Sequence, residues 1–466
     1  MSVQTSELYE KAIALLPYEP TGRQDELLQG LCDFALSRGP RDCIVVHGYA
    51  GTGKSSLLAA LVRAMTEYKM KCVMLAPTGR AAKVMAGYSS LPAYTIHKRL
   101  YRGSSVDPDN TSFFLAPNRD RDTLFVVDEA SMIPGPDTSR LLDHLIRHVY
   151  SSPGCAIVFV GDTAQLPPVG EAESYAMNPE RLEQYGLTPY IFELDQPLRQ
   201  AARSGILYNA TRIRRRMLRD PLPLPQLWQK GFRDVQVVSS EFLAEQIADS
   251  YRNAGQEHTV VVTRSNWRAG AINRAIRGMV LYAEEDLQRG ERLVISKNNY
   301  FWTSRIKGAQ FIANGETAVV QRVSGREERY GHRWADVELL LADSGVELTA
   351  KLLLTPLEAD TPSLTSEQMS ALYHQVLAEK RAEGVGAGSE LTAMRTDPYL
   401  NALQAKYGYC LTCHKAQGGQ WEDVYIDLAG IQPDMLATPD FYRWLYTALT
   451  RATTRLYLIN PSLEVI

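Results

Sequence analysis

The string "GYAGTGKSS", Gly48 to Ser56, sets three glycines, a lysine and two serines in the order a triphosphate needs. Gly48, Gly53, Lys54 and Ser55 fit the pattern G-x-x-x-x-G-K-[ST], with Gly51, Thr52 and Ser56 inside or beside it. Glycines let the backbone turn tightly enough for successive N–H groups to face phosphate oxygens, and a helix starting there adds its positive end. Lys54 would reach the β and γ phosphates, and Ser55 would hold Mg2+.

Hydrolysis needs acid residues as well, and "TLFVVDEASMIPG" provides them at the end of an apolar run. Asp128 would bind Mg2+ through water, and Glu129 would orient and deprotonate the attacking water. A solvated strand end explains the same two carboxylates if the glycine-rich loop is ignored. A second apolar run, "CAIVFVGDTAQLPPVG", ends the same way, and its Asp162 and Gln165 then face the nucleotide.

A different chemistry competes near the C-terminus. In "YCLTCHKAQGGQ", Cys410, Cys413 and His414 spell the Cys-x-x-Cys-His of covalent haem attachment, which would make the protein an electron carrier. Its surroundings argue against it. The first thirty residues lack a charged start, an apolar run and a small-residue cleavage site, so no export signal is visible. Six cysteines in 466 residues are too few and too irregular for a disulfide framework, which points to a reducing, cytoplasmic chain. Cys43, Cys72 and Cys155 sit in apolar runs and read as core. No window reaches the roughly 18 apolar residues of a membrane span. A net charge of -3 excludes a polybasic binder but not a basic groove on one face.

The elements that must hold these residues follow from the apolar runs. Segments "CIVVH", "KCVMLA", "TLFVVD", "CAIVFV" and "YIFEL" alternate with helical or loop stretches, which calls for a parallel, doubly wound sheet over about the first 195 residues. "TVVVT", "DVYIDL", "RLYLIN" and "YGYCLT" draft a second sheet. Between its pieces, "ERLVISKNN", "NGETAVVQRV" and "WADVELLLA" predict short strands. "TSEQMSALYHQVLAEKRAEG" predicts one amphipathic helix, with Thr365 and Gln368 as a capping box and Gly384 as its stop. "LYRG" and "SFFLAP" could pair as a hairpin, or form a surface loop with its aromatics tucked under. In "RIRRRMLRD", Arg212, Arg215, Arg216 and Arg219 share a helical face, which reads as solvated or bound to an acidic partner before DNA.

Taken in order, "GYAGTGKSS", "APTGRAAKVM", "TIHKRL", "VVDEAS", "GDTAQLPPVG", "PLRQ", "LTCHKAQGGQ" and "YTALTRA" resemble the motifs of superfamily 1 helicases. The chain looks most like the 5'-to-3' branch, with the phage Dda helicases and more distantly the RecD family. The likeness covers nearly the whole chain and weakens between about residues 322 and 406. It implies an α/β fold of two RecA-like P-loop domains. Residues 1–97 and 119–195 would form the first, 196–289 and 407–466 the second, 98–118 a hairpin pin, and 290–406 an SH3-like barrel with a helical extension.

The resemblance also implies roles. Arg199 and Arg451 match the arginines that close onto the γ-phosphate, and their planar donors suit a transferring phosphoryl group. Gln24 matches the glutamine that reads adenine. Gly418 and Gln420 turn toward the nucleotide, although relatives often carry Glu at the latter place. Thr78, Lys83, Thr95, His97, Thr263, Asn266, Thr412, His414 and Lys415 match positions along single-stranded DNA, where hydroxyls and amides grip phosphate without reading sequence. Tyr101, Phe113 or Phe114 could stack on the last base pair. The implied protein is a Mg-ATP-dependent DNA helicase acting on single-stranded and forked DNA, monomeric, with a single-strand-binding protein as a candidate partner and no haem or membrane. A nucleic-acid-stimulated ATPase that remodels without separating strands, or one acting on RNA, is the alternative.

Overall fold

The computed structural model describes residues 4–102, 114–196, 204–304, 306, 311–342, 344–361, 363–386 and 388–466. Arg199 and Phe113, and the side chain of Phe114, lie outside what is described.

In the first lobe, β1 (Asp42–Gly48), β2 (Lys71–Ala76), β3 (Ala93–Thr95), β6 (Thr123–Val127), β7 (Ala156–Gly161) and β8 (Thr188–Leu194) form one parallel sheet in the order β3-β2-β6-β7-β1-β8. Every residue of β6 and β7 is buried, which is why they read as continuous apolar runs without alternation: both faces of a parallel sheet are covered. The carboxyl ends of β1, β6 and β7 deliver Gly48, Asp128 and Asp162 to one edge of the sheet. Between β3 and β6, the short β4 (Tyr101–Arg102) and β5 (Phe114–Leu115) pair antiparallel, Tyr101 opposite Leu115, so the ends of the expected hairpin do meet.

The second lobe repeats the plan. β10 (Val235–Val238), β11 (Thr259–Thr263), β17 (Cys410–Thr412), β18 (Trp421–Asp427) and β19 (Ala452–Ile459) form a parallel sheet ordered β10-β19-β18-β11-β17. β9 (Gln226–Leu227) pairs with the terminal β20 (Glu464–Val465) beside it.

β12 (Arg292–Ile295), β13 (Thr317–Arg329), β14 (His332–Leu341), β15 (Val346–Leu353) and β16 (Leu403–Tyr407) close into a barrel. The expectation of short strands fails for β13, which runs 13 residues, and its register shifts between Val320 and Arg322 and again between Val323 and Gly325. Such bulges bend and twist a long strand, which is what closing a small barrel requires. The expected helix is Ser366–Ala382, with the Thr365–Gln368 capping box in place. It buries Leu372 and Val376 against Trp334 of β14, whose indole nitrogen donates to the Arg329 carbonyl at 2.9 Å. Fully burying each aliphatic side chain contributes about 1.5–3 kcal/mol.

Candidate active site

β1 runs into the glycine-rich loop, and the helix Lys54–Glu67 leaves it. Gly51 and Gly53 have φ of 72° and 81°, a region only glycine enters without strain. Space adds a second constraint at Gly53, where a Cβ would come within 2.7 Å of Gln24 Nε2. The Lys54 ammonium curls over the loop and donates to the carbonyls of Gly48 at 2.6 Å and Tyr49 at 2.8 Å. Thr52 is buried and Ser55 and Ser56 are half-buried at the start of the helix. Gln24 is buried, and its amide donates to the Thr52 carbonyl at 2.8 Å while its oxygen accepts from Thr21 N–H. Its amide therefore braces the phosphate loop from below.

Asp128 and Glu129 follow β6. One Asp128 oxygen accepts the Glu129 N–H at 2.8 Å and the other accepts the Tyr88 hydroxyl at 2.6 Å. Glu129 sits at φ 52°, a left-handed conformation rare for a residue with a side chain. Burial raises its pKa above the usual carboxylate value. Arg451 is the strongest charge opposing that rise, Asp128 adds to it, and Lys54 opposes it.

Arg451 is buried, and its guanidinium donates to the carbonyls of Thr447 at 3.0 Å and Gly419 at 3.1 Å and to the Thr450 hydroxyl at 3.0 Å. Around it the lobes are stitched together. Tyr446, in the helix Pro439–Leu449, donates from its hydroxyl to Asp162 at 2.5 Å and accepts from the Ala50 N–H of the phosphate loop at 3.0 Å. Arg214, in the helix Gly205–Met217, pairs with Asp162, and its guanidinium lies 3.3 Å from the centroid of the Tyr49 ring. Leu166 N–H donates to the Thr447 hydroxyl at 2.9 Å, and the Gln417 amide donates to the Leu166 carbonyl at 2.8 Å. Gln165 is buried with its side-chain oxygen unpartnered, beside a cavity of about 600 Å³ lined also by His47, Ser131 and Asp162.

The residues expected along a nucleic-acid strand lie in both lobes. Thr78 and Thr95 cap the helices Gly79–Ser89 and Ile96–Leu100, accepting from Ala81 N–H at 3.2 Å and Lys98 N–H at 3.1 Å. Lys83 is exposed and donates to the Ala342 carbonyl of the barrel at 2.5 Å. His97 packs 5.6 Å from Tyr101, whose hydroxyl meets His144 Nδ1 at 2.8 Å; burial lowers the His97 pKa, which favours the neutral ring. In the second lobe, Thr412 and Thr263 are register partners at the ends of β17 and β11. Asn266, Thr412 and Lys415 line one small cavity with Asn273 and Lys406. Thr263 is turned inward, its hydroxyl donating to Asp427 at 3.3 Å. His414 is exposed on the short turn after Thr412.

Gly418, expected at the nucleotide, has φ 70° and instead presses on the first lobe: a Cβ there would sit 2.9 Å from Ala81 Cβ and 3.1 Å from Thr78 Oγ1. Gln420 is exposed. Neither cysteine of the haem-like string is available for attachment, because both are buried and the Cys413 thiol faces the Trp444 carbonyl at 3.6 Å.

Sequence reasoning passed over Tyr88, Tyr446 and Arg214. Tyr446 stands inside "YTALTRA" and Arg214 inside the basic run, on neither of whose two expected roles it depends. Tyr88 lies in a featureless helix end and carried no signal.

A family profile described as an AAA domain matches residues 29–214, and one described as a UvrD-like helicase C-terminal domain matches residues 407–459. The ATP-dependent RecD2 DNA helicase of Deinococcus radiodurans is 25% identical over 431 residues, 89% of this chain and 46% of its own length. The chain therefore spans about half of that relative. The ATP-dependent DNA helicase dda of Enterobacteria phage T4 is 29% identical over 136 residues, 28% of this chain and 30% of its own. A solved structure described as showing DNA unwinding at forked dsDNA by two Pif1 helicases covers 95% of this chain and 92% of its own, at 16% identity and a TM-score of 0.49.

Proposed function

We propose that this chain, which belongs with the superfamily 1 helicases of the 5'-to-3' branch, is an ATP-dependent DNA helicase that walks 5'-to-3' on single-stranded DNA and separates duplex at a fork. Two lobes share one phosphate pocket. The single observation that carries this is Tyr446 of the second lobe, whose hydroxyl accepts the Ala50 N–H of the loop ahead of Lys54 and donates to Asp162 of the first lobe. A catalytic constellation completed across a cleft couples hydrolysis to lobe closure, and closure is what moves a strand held by both lobes.

The donor set fits a magnesium nucleotide. Ser55 and Asp128 offer hard oxygens, while no group of three or more His, Cys, Asp or Glu able to hold a metal occurs among the described residues. One carboxylate and one hydroxyl suit Mg2+, which keeps several waters and completes its shell with phosphate oxygens. When bound, it would neutralise charge on the β and γ phosphates. Lys54 would leave the carbonyls of Gly48 and Tyr49 for the phosphates. Glu129 would take the proton of the attacking water, Gln165 would orient that water, and Arg199 and Arg451 would meet the charge spread over the phosphoryl oxygens. Gln24 would set the loop and the adenine end.

Thr78, Thr95, Asn266, Thr412 and Lys415 would hold the strand, and Tyr101 with Phe113 or Phe114 would meet the duplex. The working form would be a cytoplasmic monomer on single-stranded or forked DNA, with single-strand-binding protein as its natural neighbour. No helix among the described residues is long and apolar enough to cross a membrane.

The deciding experiment uses a fork with a 5' single-stranded tail, its partner with only a 3' tail, ATP and Mg2+. Strand release from the 5'-tailed fork alone is expected; release from neither, with DNA-stimulated hydrolysis intact, would leave a remodelling ATPase. Lys54→Ala should abolish hydrolysis in both cases without unfolding the chain.

A further inference from the structure

The roles above leave one half-buried tyrosine beside the metal residues without a task. Tyr88 stands near the end of the helix Gly79–Ser89, which begins at Thr78 on the strand side. Its hydroxyl donates to Asp128 at 2.6 Å. Asp128 is one of the two side chains assigned to Mg2+.

The turn that carries Tyr88 is itself fixed. Arg63, in the helix Lys54–Glu67, donates to the Tyr88 carbonyl at 2.7 Å and to the Ser89 carbonyl at 3.0 Å. The helix bearing Ser55 therefore anchors the backbone of Tyr88, and the Tyr88 side chain returns to Asp128. Asp128 is held at one oxygen by Tyr88 and at the other by the Glu129 N–H. Each carboxylate oxygen keeps a further lone pair for a metal-bound water.

We propose that Tyr88 is a positioning residue of the magnesium site, fixing Asp128 relative to the helix that bears Ser55 before the ion arrives. The physical reason is entropy: a carboxylate free to rotate must be ordered when the ion binds, whereas this one is ordered already. Partners of this kind behind metal ligands are worth roughly tenfold to a hundredfold in metal affinity or activity. The proposal rests on the pocket taking a magnesium nucleotide.

Tyr88→Phe removes only the hydroxyl and keeps the ring that packs beside the first-lobe core. Binding of a fluorescent ATP analogue to the full chain, measured in EDTA and then across a Mg2+ titration, separates the cases. The expected result is unchanged binding in EDTA and a Mg2+ midpoint raised roughly tenfold or more. An unchanged midpoint overturns the proposal. So does an equal loss of binding in EDTA, because the hydroxyl would then be supporting the phosphate loop in general. If the native protein binds the analogue with no Mg2+ dependence, the reading of the pocket itself fails and takes Tyr88 with it.

Discussion

The hydroxyl of Tyr446 reaches across the cleft to Asp162 at 2.5 Å, and the same oxygen accepts the Ala50 N–H at 3.0 Å. One phenol from the second lobe thereby joins the glycine-rich loop to the residue that follows β7. Both Tyr446 and Asp162 are 1% exposed, so neither partner can turn to water if the other is lost.

Tyr446→Phe leaves a buried carboxylate oxygen and a half-buried amide without this partner, at about 1–3 kcal/mol for the buried group. Arg214 still pairs with Asp162, so the fold should survive. A lower urea midpoint and a reduced strand-stimulated turnover are expected, with nucleotide affinity in the absence of DNA little changed. Urea titration and steady-state hydrolysis check this; a variant with native turnover means the seam only glues the lobes.

Glu129 gives a prediction in pH. Burial lifts its pKa above the ordinary glutamate value, so between the unfolded and folded values the native state holds more protons than the unfolded one. Stability from this group is full below that window and falls as pH rises through it. Turnover goes the other way, because only the ionised form accepts a proton. The acid limb of kcat should therefore stand above the usual carboxylate range. Glu129→Gln should lower kcat by about 10²- to 10⁴-fold and raise the melting temperature at neutral pH. A Glu129→Gln enzyme with native turnover removes Glu129 from the chemistry.

What could be read in the chain is what periodicity and spacing encode. The buried strands β6, β7 and β11 are continuous apolar runs, and the loop after β1 declares itself through Gly48, Gly53 and Lys54. The Thr365–Gln368 capping box located a helix to the residue. Pairings between distant segments left no such trace. Arg214 reaches Asp162 over 52 residues, and nothing in "RIRRRMLRD" distinguishes it from Arg212, which lies 3.7 Å from the Trp228 ring centroid. Thr263 shows the opposite failure. Its position in a motif pointed to a strand, yet its hydroxyl is spent on Asp427, which also pairs with Arg268. Burial of one face against another cannot be deduced from one face alone.

Arg451 offers a test of planar geometry. Three of its donors are committed to Thr447, Gly419 and Thr450, which holds the planar guanidinium in one orientation. Lysine keeps the charge but cannot reproduce the fork. Arg451→Lys should therefore lose turnover on the order of 10³-fold while KM for ATP moves little. Steady-state hydrolysis at saturating single-stranded DNA measures both; a lysine variant near native kcat shows that charge alone suffices.

Lys415 tests the strand groove. It is half-buried beside Asn266, Thr412 and Lys406, and burial lowers its pKa, a shift that an anion placed there would oppose. Each phosphate contact on a single strand contributes about 0.7 to the slope of log affinity against log salt. Lys415→Ala should flatten that slope by about 0.7 and weaken binding equally for all base sequences, while Lys415→Arg should keep the slope. Fluorescence anisotropy with a labelled oligothymidylate across a salt series reads both. If the alanine variant keeps the native slope, no phosphate lies at Lys415, and the strand must run elsewhere than past the ends of β11 and β17.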